Sequence, residues 1–538
     1  MSIEYFVEGK IKTQVKGDYL IFSKENIVYN SSASIEQQGN KAGIQYKGAK
    51  KINPNDIPNN LIEVSLNLFF DGTQNNKTNT EAGKNYKKSN HEDDSYTNDY
   101  SNVAKGYDAL DTAVENQIRI YIEGIGTQDL KSDTVLPGVA LGIGDTGVEA
   151  KVTKGCILSA KKLAKYTGQH IHLKVNVYGF SRGATAARHF VHIATTPAIR
   201  AYTQGGQKIQ VSPPYDRGEK EESYLFTDND GSKDAFLSKY GYFGACLLKS
   251  EVLPKKLTIN FIGLYDTVAS FGINHRGTLF GIDLYGNDTK DLGLDSINKA
   301  YFVLQIAADD EFRDNFDLTN IQSAGVKGLE FTLPGVHSDI GGCYVNEMPE
   351  TVDLYKEYGS KKQCERYRSI LIEEGWYQPE ELNIRYIPPV AHEANESYIL
   401  VGHRKNVFNT YDKVSLNTML YYSAQFNVKY KKSRIEKDHQ IKDEFLRRIY
   451  NNLLDYMSAC GTLRNDYVAA YNKTGSSGDY IEKIKKICYE DFFTNLNDLK
   501  TLRNKYLHWS SSVTKFGLGP KTGKVSNGKE RKRNIQNG

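Results

Sequence analysis

A chain of 538 residues, 25% of them charged and 39% hydrophobic, has the composition of a globular protein rather than a disordered or membrane-embedded one. Its length suggests roughly two to four domains. The formal net charge of +4 is small for this length, and no basic stripe interleaved with aromatics appears, so nothing points to nucleic acid as a partner.

The N-terminal MSIEYFVEGKIK lacks the basic-then-apolar layout of a signal peptide, and no apolar run is long enough to span a bilayer. The expected product is therefore soluble and made in the cytoplasm, and any work outside the cell needs an export route other than general secretion. Residues 1–58 alternate short apolar runs with Gly, Asn and Ser, which predicts a small β element or an extended arm. Leu61 to Phe70 reads as a strand ending in Asp71-Gly72-Thr73, followed by a polar loop over about 74–104. Within that loop, His91-Glu92-Asp93-Asp94 reads as a solvated charge run rather than a metal site. A second strand, Ile118 to Glu123, precedes a Gly-spaced apolar stretch, Val135 to Ile143, and a helix running to about Tyr166. That Gly-spaced stretch fits either a lid or acyl-chain wall, or a buried connection.

Val175 to Tyr178 forms the next strand and ends in Gly179-Phe180-Ser181-Arg182-Gly183, with Ala184 to Phe190 continuing as a helix. Strand, tight turn and helix around G-x-S-x-G is the setting of a nucleophile elbow, and its glycines relieve collisions that side chains would cause there. The alternative is a structural turn with an incidental serine. A poorly periodic insertion follows over about 203–250. Its Asp228-Asn229-Asp230-Gly231-Ser232 resembles part of a calcium loop, but Leu237 falls where the last acidic ligand belongs, so an Asp-Gly turn is expected and no metal. Leu257 to Tyr265 is a strand, Lys299 to Asp310 reads as helical, and Leu329 to Leu333 is a strand before Pro334-Gly335-Val336-His337-Ser338-Asp339.

The alternation predicts an α/β fold, a mostly parallel α/β-hydrolase-like sheet covered by helices, over residues 59–345. Residues 346–520 read as largely helical. Phe445, Leu446, Ile449, Tyr450, Leu453, Leu454 and Met457 mark one apolar face, and Ile481, Ile484, Cys488, Phe492, Leu496, Leu499 and Leu502 another. Residues 521–538 read as a basic disordered tail. The six cysteines are scattered, with no C-x-x-C pair to suggest a zinc site or a disulfide framework.

A serine hydroxyl needs a base, and the base needs a carboxylate to hold its tautomer. Ser181, Asp266 and His337 follow the order serine, acid, histidine, and each comes directly after a predicted strand, so parallel strands bring all three to one edge. Competing bases are placed worse: His189 and His192 lie down the elbow helix, His170 and His172 start the elbow strand, and His275 follows the Asp266 loop. Asp339 is the alternative acid, or else shapes the His337 loop through backbone amides. Two backbone donors are expected for the oxyanion, the amide of Arg182 and one from Asp71-Gly72-Thr73, with Gly72 permitting close approach. Asp71 then orients that loop, or simply closes a turn. Asp309-Asp310-Glu311-Phe312-Arg313 reads either as support around the site or as an ion-paired helix end.

FFDGTQNN at 69–76, GFSRGATAAR at 179–188, GLYDTVAS at 263–270 and LPGVHSDIGGCY at 333–344 together resemble the α/β-hydrolase domain of bacterial type VI secretion phospholipase effectors. The resemblance spans about residues 61–345. It implies a Ser181-Asp266-His337 phospholipase that needs no cofactor and is injected into a rival cell to act at its periplasm or membrane. It also implies a tube or spike component of the secretion apparatus and a cognate immunity protein as partners. One departure is IAADDEFR, where Ala307 or Ala308 stands in place of a histidine carried on a helix in the family. The segment FVEGKIKTQVKGDYLIFSKENIVYNSS resembles an arm of type VI effectors from Bacteroidetes-like bacteria, which implies loading onto the injection machinery. LRNKYLHWSSS, with His508, is similar to C-terminal regions of such effectors and has no role derivable from its residues. The leading expectation is an antibacterial phospholipase A. A soluble carboxylesterase shares its triad, and a non-enzymatic adaptor shares its fold.

Overall fold

Six strands carry the scaffold: β1 (Ile62–Phe70), β2 (Gln117–Ile122), β3 (Ile171–Phe180), β4 (Lys256–Tyr265), β5 (Phe302–Ala308) and β6 (Gly328–Leu333). They form one sheet in the order β6-β5-β4-β3-β1-β2, with every neighbouring pair parallel. The computed structural model describes residues 61–85, 93–134, 144–198, 208–216, 222–227, 231–269, 278–279, 282–283, 292–313, 316–389, 396–514, 519 and 533–538. The expected N-terminal arm, the stretch Val135 to Ile143, His275 and Asp228-Asn229-Asp230 lie outside them.

Side-chain alternation assigns the two faces. Val64, Leu66, Leu68 and Phe70 of β1 and Ile171, Leu173, Val175 and Val177 of β3 enter one core, while Phe69, Tyr178 and Phe180 enter the other. In β4 the parity changes, from Leu257 and Ile259 to Ile262 and Leu264 on the same face. A register shift beside Val175 and Asn176 causes this by giving β4 one extra residue. Buried asparagines cross the sheet there without an orphaned amide. Asn176 Nδ2 donates to Asn67 Oδ1 at 3.0 Å, Asn260 Nδ2 donates to Asn176 Oδ1 at 2.8 Å, and Asn67 Nδ2 donates to the Ile118 carbonyl at 3.0 Å.

The helices around it include α1 (Asn102–Ala109), α2 (Val148–Leu163), α3 (Arg182–Thr195), α4 (Gly231–Lys249), α5 (His337–Gly341), α6 (Lys362–Glu373), α7 (Asp412–Ala424), α8 (Glu444–Thr474) and α9 (Leu496–Lys505). Helices α2, α3 and α4 pack in the first core through residues such as Val152, Phe190 and Phe243. The second core takes Val103 of α1, Leu371 of α6, Val414 and Met419 of α7, and Leu446, Ile449 and Leu453 of α8. Residues Ile62–Gly538 consequently form one compact unit, with the C-terminal region closing a face of the sheet. Among the described residues no helix is long and apolar enough to cross a membrane.

Several elements differ from expectation. Lys299 to Asp310, read as helical, contains β5, and all seven strand residues are buried. A strand covered on both faces has no polar alternation to distinguish it from a buried helix. The C-terminal region holds its helices and also an antiparallel sheet of β7 (Met348–Tyr358), β8 (Leu382–Ile387) and β9 (Ser397–Val407), ordered β7-β9-β8. The stripe from Ile481 to Leu502 is broken into Tyr480–Ile484, a turn at Tyr489–Phe492, and α9, whose N-cap Asn495 accepts from the Asn497 N–H. At the tail, expected to be disordered, Ile535–Gln536 pairs in parallel with Leu318–Thr319.

One buried ion pair ties the small sheet to α9. Arg404 Nε donates to Glu350 Oε1 at 3.0 Å, and its Nη1 donates to the Arg503 and Asn504 carbonyls, each at 2.9 Å. Glu350 Oε2 in turn accepts the Trp509 N–H at 2.8 Å. Arg404→Ala leaves that largely buried carboxylate without its cation, and the expected loss in denaturant unfolding is about 3 kcal/mol.

Candidate active site

The site begins with a strained turn. Ser181 leaves β3 at φ 58 and ψ −127, outside the regions an L-residue prefers, and the first turn of α3 follows at once. Neighbouring backbone fixes this conformation: the Ser181 N–H donates to the Tyr265 carbonyl at 3.0 Å, and its carbonyl accepts from Ala184 at 3.0 Å. The flanking glycines have no room for side chains. A Cβ on Gly179 would lie 2.4 Å from the Gly183 carbonyl oxygen, and one on Gly183 would lie 2.2 Å from that of Asp71.

Asp266 follows β4 directly and, like Ser181, has a positive φ, 46°. Its backbone N–H donates to the Ile306 carbonyl at 2.8 Å. The fully buried carboxylate accepts the Ala308 N–H on Oδ1 at 2.9 Å and meets His337 Nδ1 with Oδ2 at 2.5 Å. Arg533, from the C-terminal tail, grips the same carboxylate with both terminal nitrogens, Nη1 at 2.5 Å from Oδ1 and Nη2 at 2.9 Å from Oδ2. Burial works against the Asp266 charge, but Arg533 and His337 outweigh it and hold the carboxyl well below the usual carboxylate range.

His337 opens α5, with its ring 4.6 Å from the Phe180 ring and 5.0 Å from the Phe316 ring, centre to centre. Gly341 lets α5 press onto Phe180, since a Cβ there would lie 2.0 Å from that ring. Burial lowers the His337 pKa below its ordinary 6.5, with Asp266 opposing the shift. Among the described residues no hydrogen bond joins Ser181 Oγ to His337. Such contacts are often open in a free enzyme and tighten with substrate.

Glu311 braces the loop from behind. It accepts the His337 backbone N–H at 3.2 Å, the Ser510 hydroxyl at 3.0 Å and a two-pronged ion pair from Arg313, with both contacts at 2.8 Å. Asp310 Oδ2 accepts the Gly335 N–H at 2.8 Å. Asp310, Glu311 and Arg313 thus pack around the His337 loop at the end of a strand, not of a helix; Ala307 and Ala308 are the last residues of β5.

Asp339, the alternative acid, is engaged elsewhere. Its Oδ2 accepts the Val336 and His508 N–H groups, each at 3.0 Å, and its Oδ1 lies 2.7 Å from His508 Nδ1. The His508 ring stacks on Tyr344 at 3.8 Å. Of the rival histidines, His189 Nδ1 bonds the Leu292 carbonyl at 2.8 Å, His192 Nδ1 lies 2.9 Å from Ser296 Oγ, and His172 Nε2 lies 3.0 Å from Thr258 Oγ1. His170 is exposed at the far end of β3.

The 71–73 loop lies against the elbow: a Cβ on Gly72 would lie 2.5 Å from the Phe180 ring. Asp71 is buried and accepts from Gly72 N at 2.7 Å, Ser101 Oγ at 2.6 Å and Tyr121 Oη at 2.6 Å. Burial pushes its pKa up to about 6 against those three donors. The Gly72 N–H, expected to face an oxyanion, is therefore turned to its own neighbour's carboxylate. Thr73 Oγ1, by contrast, is buried with no partner among the described residues. The Arg182 N–H lies in the first turn of α3, directly after Ser181. Among the described residues no group of three or more His, Cys, Asp or Glu side chains is placed to hold a metal, and all six cysteines are free.

Arg533, Ser101 and Tyr121 were invisible as site residues in the sequence. They sit in a basic run, a polar loop and a strand, and only the fold brings them to Asp266 and Asp71.

The family model described as the type VI secretion phospholipase effector Tle1-like catalytic domain matches residues 65–358. Among solved structures, a Tle1 effector bound to the VgrG spike of the type VI secretion system aligns with a TM-score of 0.55 at 19% identity, covering 89% of this chain and 94% of that one. An uncharacterized protein from Pseudomonas aeruginosa aligns with a TM-score of 0.37 at 14% identity, covering 81% of this chain and 56% of that one. No curated protein matches the sequence.

Neutral His337 can accept a proton from Ser181, and its lowered pKa keeps it neutral further into acid. Labelling of Ser181 by a fluorophosphonate is thus expected to fall on acidification with a midpoint below 6.5.

Proposed function

The chain belongs to the Tle1-like phospholipase effectors of the type VI secretion system, and from that membership we propose a phospholipase A that cuts acyl esters of glycerophospholipids through an acyl-enzyme. Ser181 is the nucleophile, His337 the general base and Asp266 the acid that orients it. The observation carrying this reading is the 2.5 Å contact of Asp266 with His337 Nδ1 beside a serine held at φ 58 on a strand-to-helix turn.

The steps follow from that arrangement. Ser181 Oγ attacks the ester carbonyl while His337 Nε2 takes its proton, and Asp266 steadies the imidazolium through Nδ1. The tetrahedral oxyanion is met by the Arg182 N–H and by a donor of the 71–73 loop, for which the unpartnered Thr73 hydroxyl is suited. Collapse expels the lysophospholipid oxygen, which takes the proton from His337. Water, deprotonated by the same histidine, then releases the fatty acid and restores Ser181.

As an effector of this system the protein leaves its producer by injection, and we place its action at the membrane of a target cell. The related Tle1 effector bound to the VgrG spike supports a spike protein as carrier for this chain too. A producer that carries such an enzyme needs an immunity protein covering the site.

Phospholipid vesicles with position-labelled acyl chains test the reaction. Wild type is expected to release fatty acid, and Ser181→Ala to reduce release by roughly 10^4–10^6-fold. Cleavage of short soluble esters alone points instead to a carboxylesterase, and silence on every ester to a non-enzymatic fold. The two acids separate in the same assay. Asp266→Asn is expected to lower kcat by about 10^4-fold, whereas Asp339→Asn stays within about tenfold of wild type and lowers the unfolding temperature.

A further inference from the structure

The charged tail supplies a residue to this site. The Arg533 side chain is 8% exposed, and besides Asp266 it donates from Nε to the Phe316 carbonyl at 2.7 Å and from Nη1 to the Ala308 carbonyl at 3.2 Å. The fork therefore meets the carboxylate and two backbone oxygens at once, a geometry that suits arginine and not lysine. Docking of the following residues fixes its approach. The Leu318 N–H donates to the Asn534 carbonyl at 2.9 Å, that of Asn320 to the Gln536 carbonyl at 3.0 Å, and that of Ser323 to the Gly538 carbonyl at 3.1 Å. Asn320 Nδ2 reaches Asn537 Oδ1 at 2.8 Å. The segment is a strand added to the loop that leads from β5 to β6.

We propose that Arg533 is a positioning residue for the triad: the docked tail holds the Asp266 carboxylate, so that His337 keeps the orientation needed to deprotonate Ser181. Without Arg533, that fully buried carboxylate retains among the described residues a single N–H donor, Ala308, besides the histidine it must orient. A loosened carboxylate misdirects the imidazole, and a misplacement of about 1 Å at a reacting group can cost about 10^2-fold in rate. The inference rests on the serine-hydrolase reading above.

Three charged groups act on His337, Asp266 after β4 and Glu311 and Arg313 after β5, and Arg533 from the tail adds its charge to the same cluster beside Asp266 and Glu311. Removing one cation from this set favours the imidazolium, so the histidine titrates at higher pH. Loss of mere packing does not move that titration.

Arg533→Ala and Arg533→Lys, made in the full chain, give the test. On a soluble ester, Arg533→Ala is expected to lower kcat roughly 10- to 100-fold with little change in KM, and to move the acid limb of the rate profile to higher pH. Arg533→Lys keeps the charge but not the fork, so its acid limb stays near wild type while kcat falls between the two. If the alanine variant fails to fold, this contrast in the lysine variant carries the test. Unchanged kcat and an unmoved acid limb overturn the proposal. So does a rise in kcat, which makes the tail a restraint on the enzyme. The downfield proton resonance of the His337–Asp266 hydrogen bond is followed in parallel against pH. It reads the influence of Arg533 without turnover, so a wild-type protein inactive on every ester sinks the hydrolase reading while the titration still reports on Arg533.

Discussion

A carboxylate removed from water must be met by cations and hydrogen-bond donors, and Asp266 imposes that requirement on the rest of the fold. Its partners come from distant parts of the chain: the Ala308 N–H at the end of β5, His337 at the start of α5, and Arg533 in the tail. Each must arrive for the charge to be tolerated. The buried anion thus selects one arrangement of three chain segments, and that arrangement faces the strained serine on the neighbouring strand.

The same logic is repeated one layer out. Glu311 is held by Arg313 and by Ser510, and Asp339 by His508, so the segment after α9 is bonded to both sides of the histidine loop. Arg404 and Glu350 then fasten α9 and Trp509 to the small antiparallel sheet. The C-terminal region is in this sense part of the site's support. It also closes the second face of the central sheet, where Phe261, Phe302 and Phe331 would otherwise meet water.

Legibility followed the strength of local signals. β1, β3 and β4 were readable because apolar runs end in sharp turns, and the elbow because its glycines sit where only hydrogen fits. β5 was read as helix because burial on both faces erased its alternation. β7 and β9 carry charged residues along partly exposed strands, and such a pattern competes poorly with the long apolar stripes of nearby helices. The stripe over 481–502 had helical spacing, yet the Asn495 cap interrupts it, because a side-chain acceptor satisfies a new helix start better than continued winding does.

For the site, the sequence by itself determined which residues follow the strand ends: Ser181, Asp266 and His337 in hydrolase order, and Asp71-Gly72-Thr73 beside them. That is local information, since a parallel sheet sends every strand end to one edge. Only the tertiary structure decided which acid meets His337 and what meets the acid. Asp266 and Asp339 are both near the histidine in principle, and their assignment depends on where His508 and Arg533 arrive, 169 and 267 residues away. Pairing of buried charges is set by three-dimensional proximity and by the absence of water. Neither is encoded in the spacing of residues along a basic tail that, read alone, looks like any solvated run of lysine, arginine and asparagine.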